Sequence, residues 1–147
     1  MTYQITVDCQ SPPVLARFWA EALPSYEVQP PPDGFDSWRA YWASVGIPEE
    51  ELGSDEDWVD SIVSPDGPRV WFQEVPEVKS IKNRLHFDLL VGGGRTVPIG
   101  DRRTRVRAEA ERLVEFGASI TREMDSPDFD HFAIAMTDPE GNEFDIV

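Results

Sequence analysis

DPEGNEFDIV, residues 138–147, and SPDGPRVWFQEV, residues 64–75, are two versions of one phrase, and reading them together decides the fold. In each, a Pro-acidic-Gly turn feeds directly into an apolar-rich strand. Proline pre-sets the backbone for the first turn position, and glycine supplies conformations that other residues resist. Upstream of each phrase lies a short strand with an aspartate near its end, VDC at residues 7–9 and FDL at residues 87–89. Each of those strands leads towards an amphipathic helix. The unit strand, helix, strands, turn, strand therefore occurs twice. Two copies of one unit can face each other across a shared groove, the kind of concave seam that small-molecule sites favour.

Composition sets the outer limits. A chain of 147 residues is one ordinary domain in length. Its 28 acidic against 13 basic residues give a net charge of −15, which opposes binding to nucleic acid or to anionic membranes. The charge leaves cationic small molecules open as ligands, although solubility alone accounts for it. The lone Cys9 excludes an intramolecular disulfide and a cysteine zinc cluster. There is no charged-then-apolar leader and no long apolar run, so the expectation is a soluble cytoplasmic protein.

Along the chain, residues 3–9 alternate as a strand, with Gln4, Thr6 and Asp8 on one face. Ser11-Pro12 predicts a helix start, and Val14, Leu15, Phe18, Trp19 and Ala22 form its apolar stripe. Residues 28–54 are irregular. PPPDG at 30–34 predicts a loop, Asp36 a cap for a short helix carrying Trp38, Tyr41 and Trp42, and EEELGSDED at 49–57 a solvated acidic stretch. The second copy has nothing equivalent, so this segment reads as an insertion whose aromatics either line a pocket or cap the core. Strands are predicted at 58–63 and 69–75, then at 84–91 opening the second copy. GGGRTVPIGDRR, residues 92–103, is a flexible basic excursion before a helix with Val106, Ala110, Leu113 and Val114 on its buried stripe. Strands at 119–123, 131–136 and 143–147 complete an α+β repeat.

The chemistry concentrates on the strands that open and close each unit. His86 and Asp88 share a face, as do Glu143 and Asp145, because residues two apart in a strand point the same way. Imidazole and carboxylate oxygens on neighbouring strands suit a divalent metal with open positions. The plain alternative is a hydrogen-bonded structural histidine, with Asp8 and Asp88 answering donors such as Arg17 and Arg84. His86 is the candidate catalytic base or ligand. Asp8, Asp88 and Arg84, with Trp38 and Trp71 as stacking surfaces, are the candidate ligand-binding residues. His131 follows an acidic loop and reads as a surface residue, with a pocket role as the second reading. Gly92-Gly93-Gly94 lacks the glycine spacing and lysine of a phosphate loop, and Cys9 has no neighbouring base.

Taken in order, ITVDCQSPPVLARFWAEAL (5–23), VWFQEVPEVKSIKNRLHFDLLVGGG (70–94), LVEFGA (113–118) and MTDPEGNEFDIV (136–147) resemble the vicinal oxygen chelate superfamily, in its glyoxalase-like branch common in bacteria. The resemblance implies a single domain over 1–147 made of two βαβββ modules, 1–75 and 84–147, with a helical insertion at about 29–55 in the first. It also implies a ligand groove between the modules, and homodimers are common among look-alikes. In metal-using members the first and last strands of each module give one ligand apiece. Those positions fall here on Gln4, about Trp71, His86 and Asp145. Tryptophan cannot coordinate, so the set for zinc, nickel, manganese or iron is incomplete, with Gln73 the nearest substitute on the same face. Three functions follow from the resemblance: a small-molecule-binding protein, including the antibiotic-sequestering kind; a metal-dependent lyase, isomerase or dioxygenase; and a closed interaction module.

Overall fold

The computed structural model describes residues 2–147. The chain divides into two compact units, Met1–Glu77 and Val78–Val147. Among the described residues no helix is long and apolar enough to cross a membrane.

The first unit runs β1 (Ile5–Cys9), α1 (Pro12–Ala22), β2 (Glu27–Val28), α2 (Trp38–Ser44), two 3-10 turns (Glu49–Glu51 and Asp55–Trp58), β3 (Ser61–Val63) and β4 (Val70–Glu74). Its sheet has the order β1-β4-β3-β2, with β1 parallel to β4 and the other pairs antiparallel. The second unit runs β5 (Asp88–Leu89), α3 (Ile99–Glu115), β6 (Ser119–Ser126), a 3-10 turn (Pro127–Phe129), β7 (His131–Thr137) and β8 (Glu143–Ile146). Its order is β5-β8-β7-β6, with β5 parallel to β8. The two sheets share one topology, so the duplicated phrase reports a duplicated βαβββ module. The expected α+β class with a helical insertion in the first module is what the chain adopts.

Each helix covers its own sheet with the predicted stripe. Leu15, Ala16, Phe18, Trp19 and Ala22 of α1 are buried, as are Val106, Ala110 and Leu113 of α3. Val14 and Val114 fall off the stripes and stand about half exposed. Arg102 lies one turn before Val106 and extends the α3 stripe as a buried guanidinium. The cores below these helices are Ile62, Val70 and Phe72 in the first unit, and Leu89, Ile134, Met136, Phe144 and Ile146 in the second.

Several boundaries depart from the expectations. The cap of α2 is Ser37, whose hydroxyl accepts from the Ala40 N–H, and not Asp36. Ser11 starts α1 through its carbonyl, which accepts from Val14 and Leu15, and not through its hydroxyl. Trp58 belongs to a 3-10 turn, so β3 begins only at Ser61. Glu27–Val28 is a short strand on β3, so Val28 pairs in the sheet where the irregular segment was expected to begin. The insertion's aromatics make a small core of their own. Trp38 stacks on Trp42 at 6.2 Å, Trp42 meets Trp58 at 5.2 Å, and the Trp58 indole donates to the Leu52 carbonyl.

Candidate functional site

The two turns place the site strands in the same way. In the second unit, buried Asp138 accepts through Oδ1 from the N–H groups of Glu140 and Asn142. Gly141 then sits at φ +88°, where side chains are strained. In the first unit, Ser64 takes the place of Asp138, its hydroxyl accepting from the Asp66 N–H. Both devices are local side-chain-to-backbone bonds that fix where the following strand begins. Counting from the turn glycine, the residue at the same step is Trp71 in β4 and Asp145 in β8. Trp71 is in register with Thr6, and Asp145 with Asp88. Two residues earlier on the opening chain come Gln4 and His86 respectively. The internal repeat therefore makes Gln4, Thr6 and Trp71 the counterparts of His86, Asp88 and Asp145.

Only the second set carries ionisable ligand chemistry. His86 Nε2 lies 3.3 Å from Asp88 Oδ1 and 3.9 Å from Asp145 Oδ2. One ligand atom from each of the three falls within 4.8 Å of the others. Regular ladder pairing explains the gathering. Parallel register sets Asp145 beside Asp88, and the two-residue repeat sets His86 on their face. Strand β5 is shorter than the predicted 84–91, because only Asp88–Leu89 pairs regularly at this sheet edge. The Asp145 N–H to the Phe87 carbonyl and the Val91 N–H to the Val147 carbonyl nevertheless carry extended backbone beyond both ends. All three side chains remain open to solvent, Asp145 least so.

In the first unit the counterparts have other partners. Arg69 donates to the Gln4 amide oxygen at 3.0 Å, and the Trp71 indole donates to Asp60 Oδ2 at 3.0 Å. Asp8 is exposed and in register with Gln73. Trp38 donates to the Gln29 carbonyl inside the insertion's aromatic cluster. Arg17 turns to Glu56, bonding it through Nε and Nη2, so it answers neither aspartate. Arg84 is exposed beside His86 in sequence. Thus the structure brings His86, Asp88 and Asp145 together within one unit, and places Gln4, Asp8, Trp38 and Trp71 in the other.

Behind the cluster, Glu143 anchors the segment leading to His86. Its carboxylate accepts from the Asn83 N–H at 3.0 Å and pairs with Lys79 at 3.0 Å. The Asn83 bond first, and then Lys79, hold the Glu143 carboxyl at about 2. No local pattern announces this anchor, because Asn83 and Lys79 lie about 60 residues from Glu143 in the sequence.

Three ligand atoms spaced in this way fit a divalent cation. Metal–oxygen and metal–nitrogen bonds of roughly 2.0–2.2 Å put adjacent ligands roughly 3–4 Å apart. One imidazole and two carboxylates on one face would leave positions open for a substrate or water.

Two βαβββ modules of identical strand order define the class of fold, a paired-module α+β protein. The chain belongs to the glyoxalase-like domain family, which matches residues 4–147. Among solved structures it resembles a glyoxalase/bleomycin resistance protein/dioxygenase family enzyme from Burkholderia phytofirmans PsJN, with 13% identity, TM-score 0.55, and coverage of 97% of this chain and 94% of that one. It also resembles a point mutant of the genomically encoded fosfomycin resistance protein FosX from Listeria monocytogenes, complexed with Mn(II) and 1S,2S-dihydroxypropylphosphonic acid. There the identity is 11%, the TM-score 0.56, and the coverage 97% of this chain and 85% of that one. A third likeness is a glyoxalase-related enzyme from Fulvimarina pelagi, at 16% identity and TM-score 0.51, covering 99% of this chain and 87% of that one. No curated protein matches the sequence. At these identities the likeness concerns the fold, and the vicinal oxygen chelate resemblance read from the sequence holds at that level.

Proposed function

We propose that the chain is a small-molecule-binding glyoxalase-like protein whose ligand is engaged at His86, Asp88 and Asp145. The observation that carries this reading is their convergence within 4.8 Å on the opening and closing strands of the second module. An imidazole flanked by two carboxylates offers one group that donates or accepts and two that attract cations. In a chain of charge −15, a cationic ligand group or a metal-bridged one is the natural occupant.

The cluster's spacing favours a second, more specific reading, a metal-dependent lyase, isomerase or dioxygenase. His86, Asp88 and Asp145 would hold the cation, which when bound would supply Lewis-acid polarisation of a substrate oxygen. The FosX neighbour was solved with Mn(II), and this donor set is one that manganese accepts. His86 contributes the nitrogen ligand, Asp88 and Asp145 contribute negative charge, and the Glu143 anchor steadies the approach of residue 86.

Equilibrium dialysis of the protein against manganese, zinc, nickel and iron(II), repeated on His86→Ala, separates the two readings. About one metal per chain, lost in the variant, supports metal-dependent chemistry. No retained metal overturns it. The binding reading then rests on a thermal-shift screen of cationic and aromatic compounds, and it is overturned if no compound shifts the protein or if His86→Ala leaves every shift unchanged.

A further inference from the structure

The second unit carries a cavity of about 290 Å³ that shares no residue with the His86 cluster. It is lined by the glycines 92–94, Arg95, Arg102, Asp130, His131 and Phe132, at the end of the sheet where β5 gives way to the basic excursion. Its size lies at the lower edge of the range for small-molecule pockets, roughly 300–1,000 Å³. Five of the chain's 13 basic residues, Arg95, Arg102, Arg103, Arg105 and Arg107, fall between residues 95 and 107, in the excursion and the start of α3.

Most of that positive charge is already answered. Arg103 pairs with Asp125, Arg107 with Glu123, and Arg102 with Asp130. Asp130, held at φ +47°, supplies the one carboxylate side chain of the lining, and Arg102 occupies it through both the side chain and the backbone carbonyl. The side chains of Arg95 and His131 are left on the lining without a hydrogen-bond or ion-pair partner among the described residues. Arg105, outside the lining, donates to the Gly92 carbonyl at 3.3 Å.

The glycine run suits the same occupant. Gly93 sits at φ +89°, a conformation that side chains rarely adopt, and the Arg105 guanidinium lies against it. A Cβ on Gly94 would meet nothing within 4 Å, so the backbone there is open to approach. The N–H groups of Gly93, Gly94 and Arg95 have no backbone acceptor among the described residues. Unanswered guanidinium and imidazole beside free backbone N–H groups is the donor set that oxyanions recognise.

We propose that this cavity is a binding site for the phosphate or carboxylate group of a small molecule, with Arg95 as the principal cation, His131 and the N–H groups of residues 93–95 as supporting donors, and Leu90 and Phe132 as apolar walls. The site belongs to the second module alone and stands whether or not His86 holds a metal.

The test is a titration of the ¹⁵N-labelled full chain with inorganic phosphate and, separately, with acetate, potassium chloride holding the ionic strength fixed. Saturable shifts of the amides of residues 92–95 are expected. Arg95→Gln should weaken binding by about tenfold, His131→Gln and Arg95→Lys by less, and His86→Ala should leave it unchanged. Saturation by phosphate alone assigns a phosphate ligand, and saturation by acetate alone a carboxylate. Shifts that stay linear for both anions overturn the site. So does binding that survives both glutamine variants, or binding lost in His86→Ala.

Discussion

At the residue scale, the chemistry of the candidate site turns on one exposed imidazole. The His86 side chain is 41% exposed and sits at the sheet edge, so its loss should leave packing intact. His86→Ala is expected to shift the melting temperature by less than about 2 °C while lowering metal or ligand affinity at least about tenfold. A large loss of stability, read by thermal unfolding, would make His86 structural instead. Glu143 is the opposite case, a side chain whose role is structural. The Asn83 N–H and then Lys79 hold its carboxyl at about 2, below the ordinary 4.5. A carboxyl depressed on folding adds stability that is present in full above the unfolded value and is lost as pH falls through the folded one. Glu143→Gln should therefore cost about 1 kcal/mol at pH 7, in keeping with a partly exposed pair. The gap between wild type and variant should close between pH 4.5 and 2, as followed by denaturant unfolding across that range.

At the scale of elements, α3 shows what periodicity can and cannot reveal. Its buried face is Arg102, Val106, Ala110 and Leu113, and the sequence stripe found the last three by spacing alone. It also counted Val114, which stands 45% exposed, whereas Leu113 is fully buried. Leu113→Ala should thus cost about 3 kcal/mol through lost contacts and a cavity, and Val114→Ala less than about 0.5 kcal/mol. Equal costs in urea unfolding would mean that the helix is rotated from the face described. Arg102 escaped the reading because a charged residue at a stripe position looks like the end of the stripe. Its burial depends on Asp130, 28 residues away, and no local pattern announces such a partner. The repeated turn and the strand alternation made the module order legible. The short β2 and the retreat of β3 to Ser61 were not, because both depend on pairing partners distant in sequence. The His86–Asp88 face was legible for the same reason that Asp138 was not. The first is a two-residue repeat, and the second a buried carboxylate visible only through the N–H groups it satisfies.

At the scale of the whole molecule, charge is the dominant fact. With 28 acidic residues against 13 basic, repulsion among carboxylates should outweigh the exposed ion pairs, since each such pair contributes roughly 0–1 kcal/mol and the acidic side chains outnumber the basic ones by 15. Salt screens both effects, so the sign of its influence shows which is larger. Raising sodium chloride from about 20 mM to about 500 mM shortens the screening length from about 20 Å to about 4 Å, and the melting temperature should rise by a few degrees. A fall would mean that pairs such as Arg17–Glu56 and Arg107–Glu123 contribute more than their exposure suggests. The same measurement isolates the site. At high, fixed ionic strength the general repulsion is already screened, so further stabilisation by millimolar manganese must come from specific binding to the folded state. On the proposed metal reading that increment should appear in the wild type, vanish in His86→Ala and persist in Arg95→Gln, because the cation would be held by His86, Asp88 and Asp145 and not by the basic cavity. An increment of equal size in all three proteins would place manganese on the diffuse acidic surface and remove the metal reading of the cluster.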